Sequence, residues 1–245
     1  MSETFDFGNG PVAAHKHPNG GGWVADTAKV ADTAYVGDTA RVFDNAHVYG
    51  NARVYGNAWV FDNAWVYDTA NVYGNARVYG NTHVYDNTHV YGNARVYDTA
   101  HVYGNARVYG NARVFRNACV YDTANVFGNA RVFGDARVFG DAQVFDKAHV
   151  YDNARVYDTA RVYGNARVYD NALLKKTPFR ASRTDGFDFI ICKDKDDVTH
   201  IIAGCRYFTI DEAYKHWTKT RGGTELGDET LRILDFLTKS FADPT

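Results

Sequence analysis

Arginine recurs at intervals of 18 residues through the middle of the chain. Guanidinium groups bind anionic oxygens in a fork geometry, and aromatic rings beside them can stack on bases. The interpretation that we favour for a regular row of both residue types is a solvated surface in which arginine stacks on aromatic rings. The alternative is a site for a linear polyanion, such as nucleic acid or a polyanionic glycan. The residues of this row, called the arginine face below, are Trp59, Arg77, Tyr79, Arg95, Tyr97, Arg113 and Arg131.

A second column with the same spacing contains His83 and His101, preceded by His47 and Trp65 and followed by Cys119. Imidazole is a common metal ligand, and residues one repeat unit apart are close enough to share an ion. The repeat has no insertion from which a complete site could be built. We therefore favour solvated imidazoles over a metal site.

Aspartates also recur at this spacing. Asp44 precedes Asp62, and Asp68 precedes Asp86, each by 18 residues. Stacked carboxylates could hold Ca²⁺ along the molecule. Aspartate is equally an ordinary turn residue, so no cofactor is expected.

These columns result from a six-residue repeat. A valine occupies every sixth position from Val24 to Val168, and an alanine follows each one by four residues, except at Thr82 and Thr88. The unit is A-x-V-[YF]-[GD]-[NT]. A helix would rotate the valines around its axis, whereas in a strand an even period keeps them on one side. The pattern predicts A-x-V-Y strands with the next two residues as the bend.

Coiling is the arrangement that covers the valines and alanines. Three repeats per coil make a triangular parallel β-helix, in which valine fills the faces and small alanine fits beside the corners. The repeats predict about nine 18-residue coils and, at ~4.8 Å per coil, a rod about 40 Å long. The aromatic residue after each valine then faces outward, and this exposed aromatic surface predicts a homo-oligomer formed through one solenoid face.

An aliphatic residue followed four positions later by a small one resembles the hexapeptide-repeat left-handed parallel β-helix family. The V-Y-G-N-A-R variant, opened by Phe5–Gly10 and Asn19–Val24, is also similar to phage and prophage solenoid proteins of unknown role. The resemblance implies a left-handed solenoid and a phage-related setting. Acyltransferases and gamma-class carbonic anhydrases with this fold build their sites on loops that leave the prism, and this repeat has none.

The sequence divides into three parts: an N-terminal cap (1–22), the hexapeptide-repeat β-helix (23–176) and a small α+β module (177–245). In the last part, Phe187–Lys193 and Val198–Phe208 predict a hairpin. Thr209 and Glu212 form the pattern of a capping box and predict a helix start. A second helix is expected over Leu226–Lys239. This ββαα module could cover the last coil or act as a binding head, and the sequence does not separate the two.

Net charge, apolar stretches and cysteine content indicate the cellular location and the class of function. The formal net charge is −2, and no stretch is apolar enough to suggest a secretory signal or a membrane span. The cysteines Cys119, Cys192 and Cys205 are scattered, which suggests reduced thiols and a cytoplasmic or virion location. We predict a non-enzymatic scaffold or binding protein with no catalytic residues. The alternatives are a hexapeptide-type acyltransferase and a ligand-sequestering or glycan-binding protein.

Overall fold

The computed structural model describes residues 3–242, and residues 23–174 form a triangular β-solenoid of three parallel sheets. Each repeat contributes one short strand, and each strand pairs in parallel with the strand 18 residues later, as Arg77 does with Arg95. The 26 solenoid strands make eight complete coils and two strands of a ninth. The fold class is confirmed. Residues 1–2 and 243–245, which belong to the two predicted terminal parts, lie outside the described residues.

The elements in chain order are β1 (Glu3–Asp6), β2 (Pro11–Lys16), β3 (Trp23–Ala25), β4 (Lys29–Val30), β5 (Tyr35–Val36), β6 (Arg41–Val42), β7 (His47–Val48), β8 (Arg53–Val54), β9 (Trp59–Val60), β10 (Trp65–Val66), β11 (Asn71–Val72), β12 (Arg77–Val78), β13 (His83–Val84), β14 (His89–Val90), β15 (Arg95–Val96), β16 (His101–Val102), β17 (Arg107–Val108), β18 (Arg113–Val114), β19 (Cys119–Val120), β20 (Asn125–Val126), β21 (Arg131–Val132), β22 (Arg137–Val138), β23 (Gln143–Val144), β24 (His149–Val150), β25 (Arg155–Val156), β26 (Arg161–Val162), β27 (Arg167–Val168), β28 (Leu173–Leu174), β29 (Arg180–Ser182), β30 (Asp188–Lys193), β31 (Thr199–Ala203), β32 (Arg206–Thr209), α1 (Ile210–Arg221) and α2 (Glu225–Ala242).

Most solenoid strands span two residues, x-V, and not the predicted A-x-V-Y. The corner begins immediately after the aromatic residue, where the backbone takes a positive φ, so the regular strand ends there. The hydrogen-bond ladder is nevertheless wider than the strand. The N–H of Arg77 donates to the Ala94 carbonyl (2.9 Å), and that of Tyr79 donates to the Val96 carbonyl (3.1 Å).

The interior consists of valine and alanine, as predicted. Val96 and Ala94 are fully buried, and the same holds along nearly the whole solenoid. Thr82 and Thr88, the two departures from alanine, are also fully buried. Their hydroxyls donate to the carbonyls of Tyr79 (2.7 Å) and Tyr85 (2.6 Å), which satisfies the extra polar group.

The N-terminal hairpin β1–β2 extends the sheet of β3 by antiparallel pairing. Its aromatic side chains cover the outer side of that sheet. Phe5 stacks on Trp23 with ring centroids 4.5 Å apart, and Phe7 stacks on Phe43 at 4.9 Å. The outer surface of the first coils is therefore packed against the hairpin, whereas the later coils leave it open.

The C-terminal part contains four strands and two helices. The predicted strand over Val198–Phe208 is wrong in one respect: Gly204 and Cys205 form a tight turn that divides it into β31 and β32. Gly204 has a φ of 62°, which a β-strand does not allow. The capping box of Thr209 and Glu212 is confirmed, and α1 begins at the next residue. No helix within residues 3–242 is long and apolar enough to cross a membrane.

The C-terminal sheet closes the open end of the solenoid. β30 pairs with β28, so the sheet of the last coil continues into this part. Ile190, Cys192 and Ile202 face the solenoid and join its core. Phe189 and Ile191 alternate with them and pack against the helices in a second core. The module therefore covers the last coil. The sequence had left open whether it does so.

Candidate functional site

The predicted arginine row is formed by neighbouring rungs of one sheet. Arg77, Arg95, Arg113 and Arg131 pair in register on β12, β15, β18 and β21. Arg77, Arg95 and Arg131 are exposed, and Arg113 is half-buried. Within residues 3–242, no carboxylate forms a salt bridge with any of the four. The row is an uncompensated line of positive charge on one face of the rod.

The expected cation–π partners of this row are wrong in part. Arg77 lies over Trp59 at 4.7 Å from the ring centroid, and Arg41 lies near the same ring at 5.1 Å. The tyrosines instead stack on one another: the rings of Tyr79 and Tyr97 are 5.0 Å apart and within 3° of parallel. Because the next coil's ring covers each face, these tyrosines do not receive a guanidinium. Trp59 therefore contacts two arginines, whereas Arg95, Arg113 and Arg131 lie over no aromatic ring within residues 3–242.

The positive charge of the arginine face affects the pKa of the histidine that continues the row. His149 lies on β24 between Arg131 and Arg167. Burial, together with the charges of these two arginines, lowers the pKa of His149 below its usual range. Burial raises the pKa values of Tyr79 and Tyr97, and the nearby arginines only partly oppose this. Both hydroxyls stay protonated at neutral pH and can donate hydrogen bonds.

An asparagine ladder borders the arginine row. Each side-chain amide donates to the carbonyl oxygen of the equivalent asparagine in the next coil, at 3.1 to 3.3 Å. Such ladders make the corner rigid while leaving it uncharged. The six-residue pattern placed these asparagines in the bend, and their identity at 18-residue spacing was the available signal for the ladder. The ladder consists of Asn57, Asn75, Asn93, Asn111 and Asn129.

Arg116 is a further residue of this surface that the sequence analysis missed. It has a φ of 57°, and every sixth position from Asp44 to Asp170 is otherwise glycine or aspartate. A left-handed conformation is costly for a long side chain. Its guanidinium lies 5.8 Å from the Phe133 ring, on the arginine face. The sequence signal for Arg116 was that it interrupts the column of glycine and aspartate residues at these corner positions.

The corner aspartates accept hydrogen bonds from the backbone. The Asp62 carboxylate accepts the N–H of Gly80 (3.2 Å), and that of Asp86 accepts the N–H of Gly104 (3.0 Å). Each therefore ties its turn to the turn of the next coil. Residues 3–242 contain no group of three or more metal-ligating side chains. Ca²⁺ at the Asp44–Asp62 and Asp68–Asp86 pairs was the less favoured alternative, and neither pair has a third metal-ligating side chain beside it among the described residues.

The histidine column is a stack of rings. His47 stacks on Trp65 (4.1 Å), and His83 stacks on His101 with centroids 4.9 Å apart and planes within 2°. Imidazole lone pairs lie in the ring plane, so parallel stacked rings project them side by side and not toward one ion. Burial lowers the pKa of both His83 and His101. This geometry argues against the shared metal ion and favours neutral, stacked imidazoles.

The comparison with known families agrees with this architecture. Six segments match the model described as the YdcK Beta solenoid repeat: residues 52–68, 70–86, 100–114, 106–122, 130–146 and 160–174. These segments of the solenoid are similar to that repeat. No curated protein gives a significant match to the chain. The left-handed twist and the phage-related setting remain predictions from resemblance.

Proposed function

We propose that this YdcK-type solenoid is a non-enzymatic scaffold whose arginine face binds linear polyanions. The observation that carries the proposal is the in-register row Arg77, Arg95, Arg113 and Arg131, which forms no salt bridge with a carboxylate in the described part of the chain. Like charges on adjacent strands destabilise a sheet unless something neutralises them. A polyanion lying along the rod would contact several rungs at once, and the bordering asparagine ladder could hydrogen-bond to it.

Two further observations support the proposal. The positive charge of Arg131 and Arg167 already contributes to the lowered pKa of His149, so the field of the row acts on a neighbouring group. Arg116 places another guanidinium on the same face at a strained backbone position. A non-enzymatic role is further supported by the connections of the solenoid, which are all short corners and offer no loop for a catalytic site.

The experiment is retention on immobilised heparin across a salt gradient. The Arg95→Gln/Arg113→Gln variant removes two charges from the middle of the row, and both side chains point outward, so the fold is retained. We expect the variant to elute at lower salt than wild type. The matched control is Arg137→Gln/Arg155→Gln, which removes two paired arginines from another face. Equal elution of the two variants would show that net charge, and not the row, governs binding.

A second candidate function is self-association through the histidine face, defined by His47, Trp65, His83 and His101. From position 47 to position 119 this column carries no formal charge at neutral pH, and Trp65 is 37% exposed. We propose that a second copy of the chain covers this face. Sedimentation velocity of Trp65→Glu would test it: the variant should be monomeric at concentrations where wild type associates. A monomeric wild type would contradict the proposal.

The remaining alternatives have less support. A glycan-binding role predicts that neutral oligosaccharides compete with heparin, and the same column assay tests this. The acyltransferase alternative predicts acyl transfer from a thioester donor. A cytoplasmic or virion location and a phage-related setting stay predictions from the sequence.

A further inference from the structure

The C-terminal part contains an open cleft of about 630 Å³ that is separate from the arginine face. It lies between the β29–β30 loop, the β31–β32 turn and the second half of α1. Its aromatic lining residues are Phe187, which is half-buried, and Trp217, which is mostly buried. A β-carbon on Gly204 would lie 2.5 Å from the Phe187 ring, so the turn approaches this ring as closely as glycine allows. We call this site the cap cleft, because it lies in the C-terminal part that covers the last coil. It is not part of the N-terminal cap.

One arginine of the cap cleft is already neutralised. Arg183 is buried and donates to both oxygens of Asp185 (2.9 and 2.7 Å), and also to the Thr230 hydroxyl (2.9 Å). The hydrogen bonds from Arg183 hold the pKa of Asp185 below its usual range. Asp185 is the single carboxylate among the residues that line the cleft. The Arg183–Asp185 ion pair therefore lines the cleft without contributing net charge.

Two other arginines of the cleft have no such partner. Arg206 and Arg221 are exposed, and neither forms a salt bridge with a carboxylate within residues 3–242. His216 lies beside them, and burial together with the charge of Arg206 lowers its pKa. The cleft thus carries a net charge of two positive units, on guanidinium groups suited to phosphate oxygens.

We propose that the cap cleft binds a small phosphate monoester through Arg206 and Arg221. A dianion matches the two uncompensated charges, and the aromatic wall accommodates a compact ring attached to the phosphate. Thr220 lines the same cleft, but its hydroxyl already donates to the His216 carbonyl (2.8 Å), so the two guanidinium groups are the donors to the phosphate. This inference does not depend on the arginine face, which lies on the solenoid.

Cys205 provides a direct probe, because it lines the cap cleft and is exposed. Its alkylation by iodoacetamide can be followed by peptide mass spectrometry in the intact protein. Cys119, on the solenoid, serves as the internal control, and buried Cys192 should remain unmodified. Phenyl phosphate at about ten times its Kd should slow Cys205 alkylation roughly tenfold by mass action, and Cys119 alkylation should not change. Inorganic phosphate should protect at higher concentration.

The substitutions Arg206→Gln and Arg221→Gln should each raise the protecting concentration by roughly a factor of ten, since each removes a charge-assisted hydrogen bond. Arg232→Gln is the matched control, an exposed arginine on α2 that does not line this cleft. The proposal is overturned by absence of protection in wild type, by equal protection of Cys119, or by unchanged protection in both cleft variants. Potassium chloride at matched ionic strength must give no protection.

Discussion

The backbone N–H of Arg116 donates to the carboxylate of Asp98 across one coil, at 3.2 Å. Aspartate in the left-handed corner conformation therefore binds the next turn, and the next turn here carries an arginine in the same conformation. A residue of opposite charge has replaced the usual glycine or aspartate beside the arginine row. The strained conformation of Arg116 occurs at the position where an added guanidinium reaches the arginine face.

We predict that Arg116→Gly stabilises the protein and weakens polyanion binding. Glycine adopts positive φ without strain, so the free energy of unfolding should rise by about 1 kcal/mol. Loss of the guanidinium should lower the salt concentration of elution from heparin. Asp152→Gly is the matched control in the same corner column. It should also relieve strain but should not weaken binding, because it removes a negative charge.

Val96→Asp should unfold the middle of the solenoid. Val96 is fully buried, and an unpaired carboxylate at this position is expected to cost about 4 kcal/mol or more. The adjacent side chain of Arg95 points outward, so Arg95→Gln should change the melting temperature little. Thermal unfolding followed by circular dichroism distinguishes the two. Equal melting temperatures for Val96→Asp and wild type would mean that the inward and outward sides had been assigned the wrong way round.

Polyanion binding should strengthen as the pH falls through the titration of His149. Burial and the neighbouring arginines lower the pKa of His149 in the free protein. A bound polyanion screens these charges and favours the imidazolium, so it should raise this pKa, and by linkage protonation should raise the affinity. NMR titration of the histidine signals with and without heparin measures the shift. His101, whose pKa is lowered by burial on another face, is the control and should not move.

Tyr207→Phe should leave stability unchanged or increase it slightly. The Tyr207 hydroxyl is buried between the solenoid and the C-terminal part and has no hydrogen-bond partner among the described residues. Removing it eliminates an unsatisfied polar group, and the aromatic packing remains. In contrast, the Tyr214 hydroxyl donates to Asp235, so Tyr214→Phe should lose about 1 kcal/mol. Chemical denaturation of both variants tests the difference, and a marked loss in Tyr207→Phe would indicate a missing partner such as internal water.

Local periodicity determined much of what could be predicted. The six-residue spacing places Val96 inside and Arg95 outside, and three repeats per coil set the Arg95–Arg113 register, which the structure confirms. The capping box at Thr209 was equally local. The ring orientations could not be predicted in this way. Whether the Tyr79 ring packs against a guanidinium or against the Tyr97 ring depends on side-chain contacts in three dimensions, which the repeat does not specify. The cap cleft combines three separate segments between Arg183 and Arg221, and no periodic pattern in the sequence connects them.

The most direct test of the polyanion-binding face is the salt dependence of single-stranded oligonucleotide binding, measured by fluorescence anisotropy. Each arginine that neutralises a phosphate contributes about −0.7 to the slope of log K against log salt concentration. Arg95→Gln/Arg113→Gln should therefore reduce the magnitude of the wild-type slope by about 1.4, whereas Arg137→Gln/Arg155→Gln should leave it unchanged. A wild-type protein that does not bind at low salt, or identical slopes for wild type and the Arg95/Arg113 variant, would contradict the account.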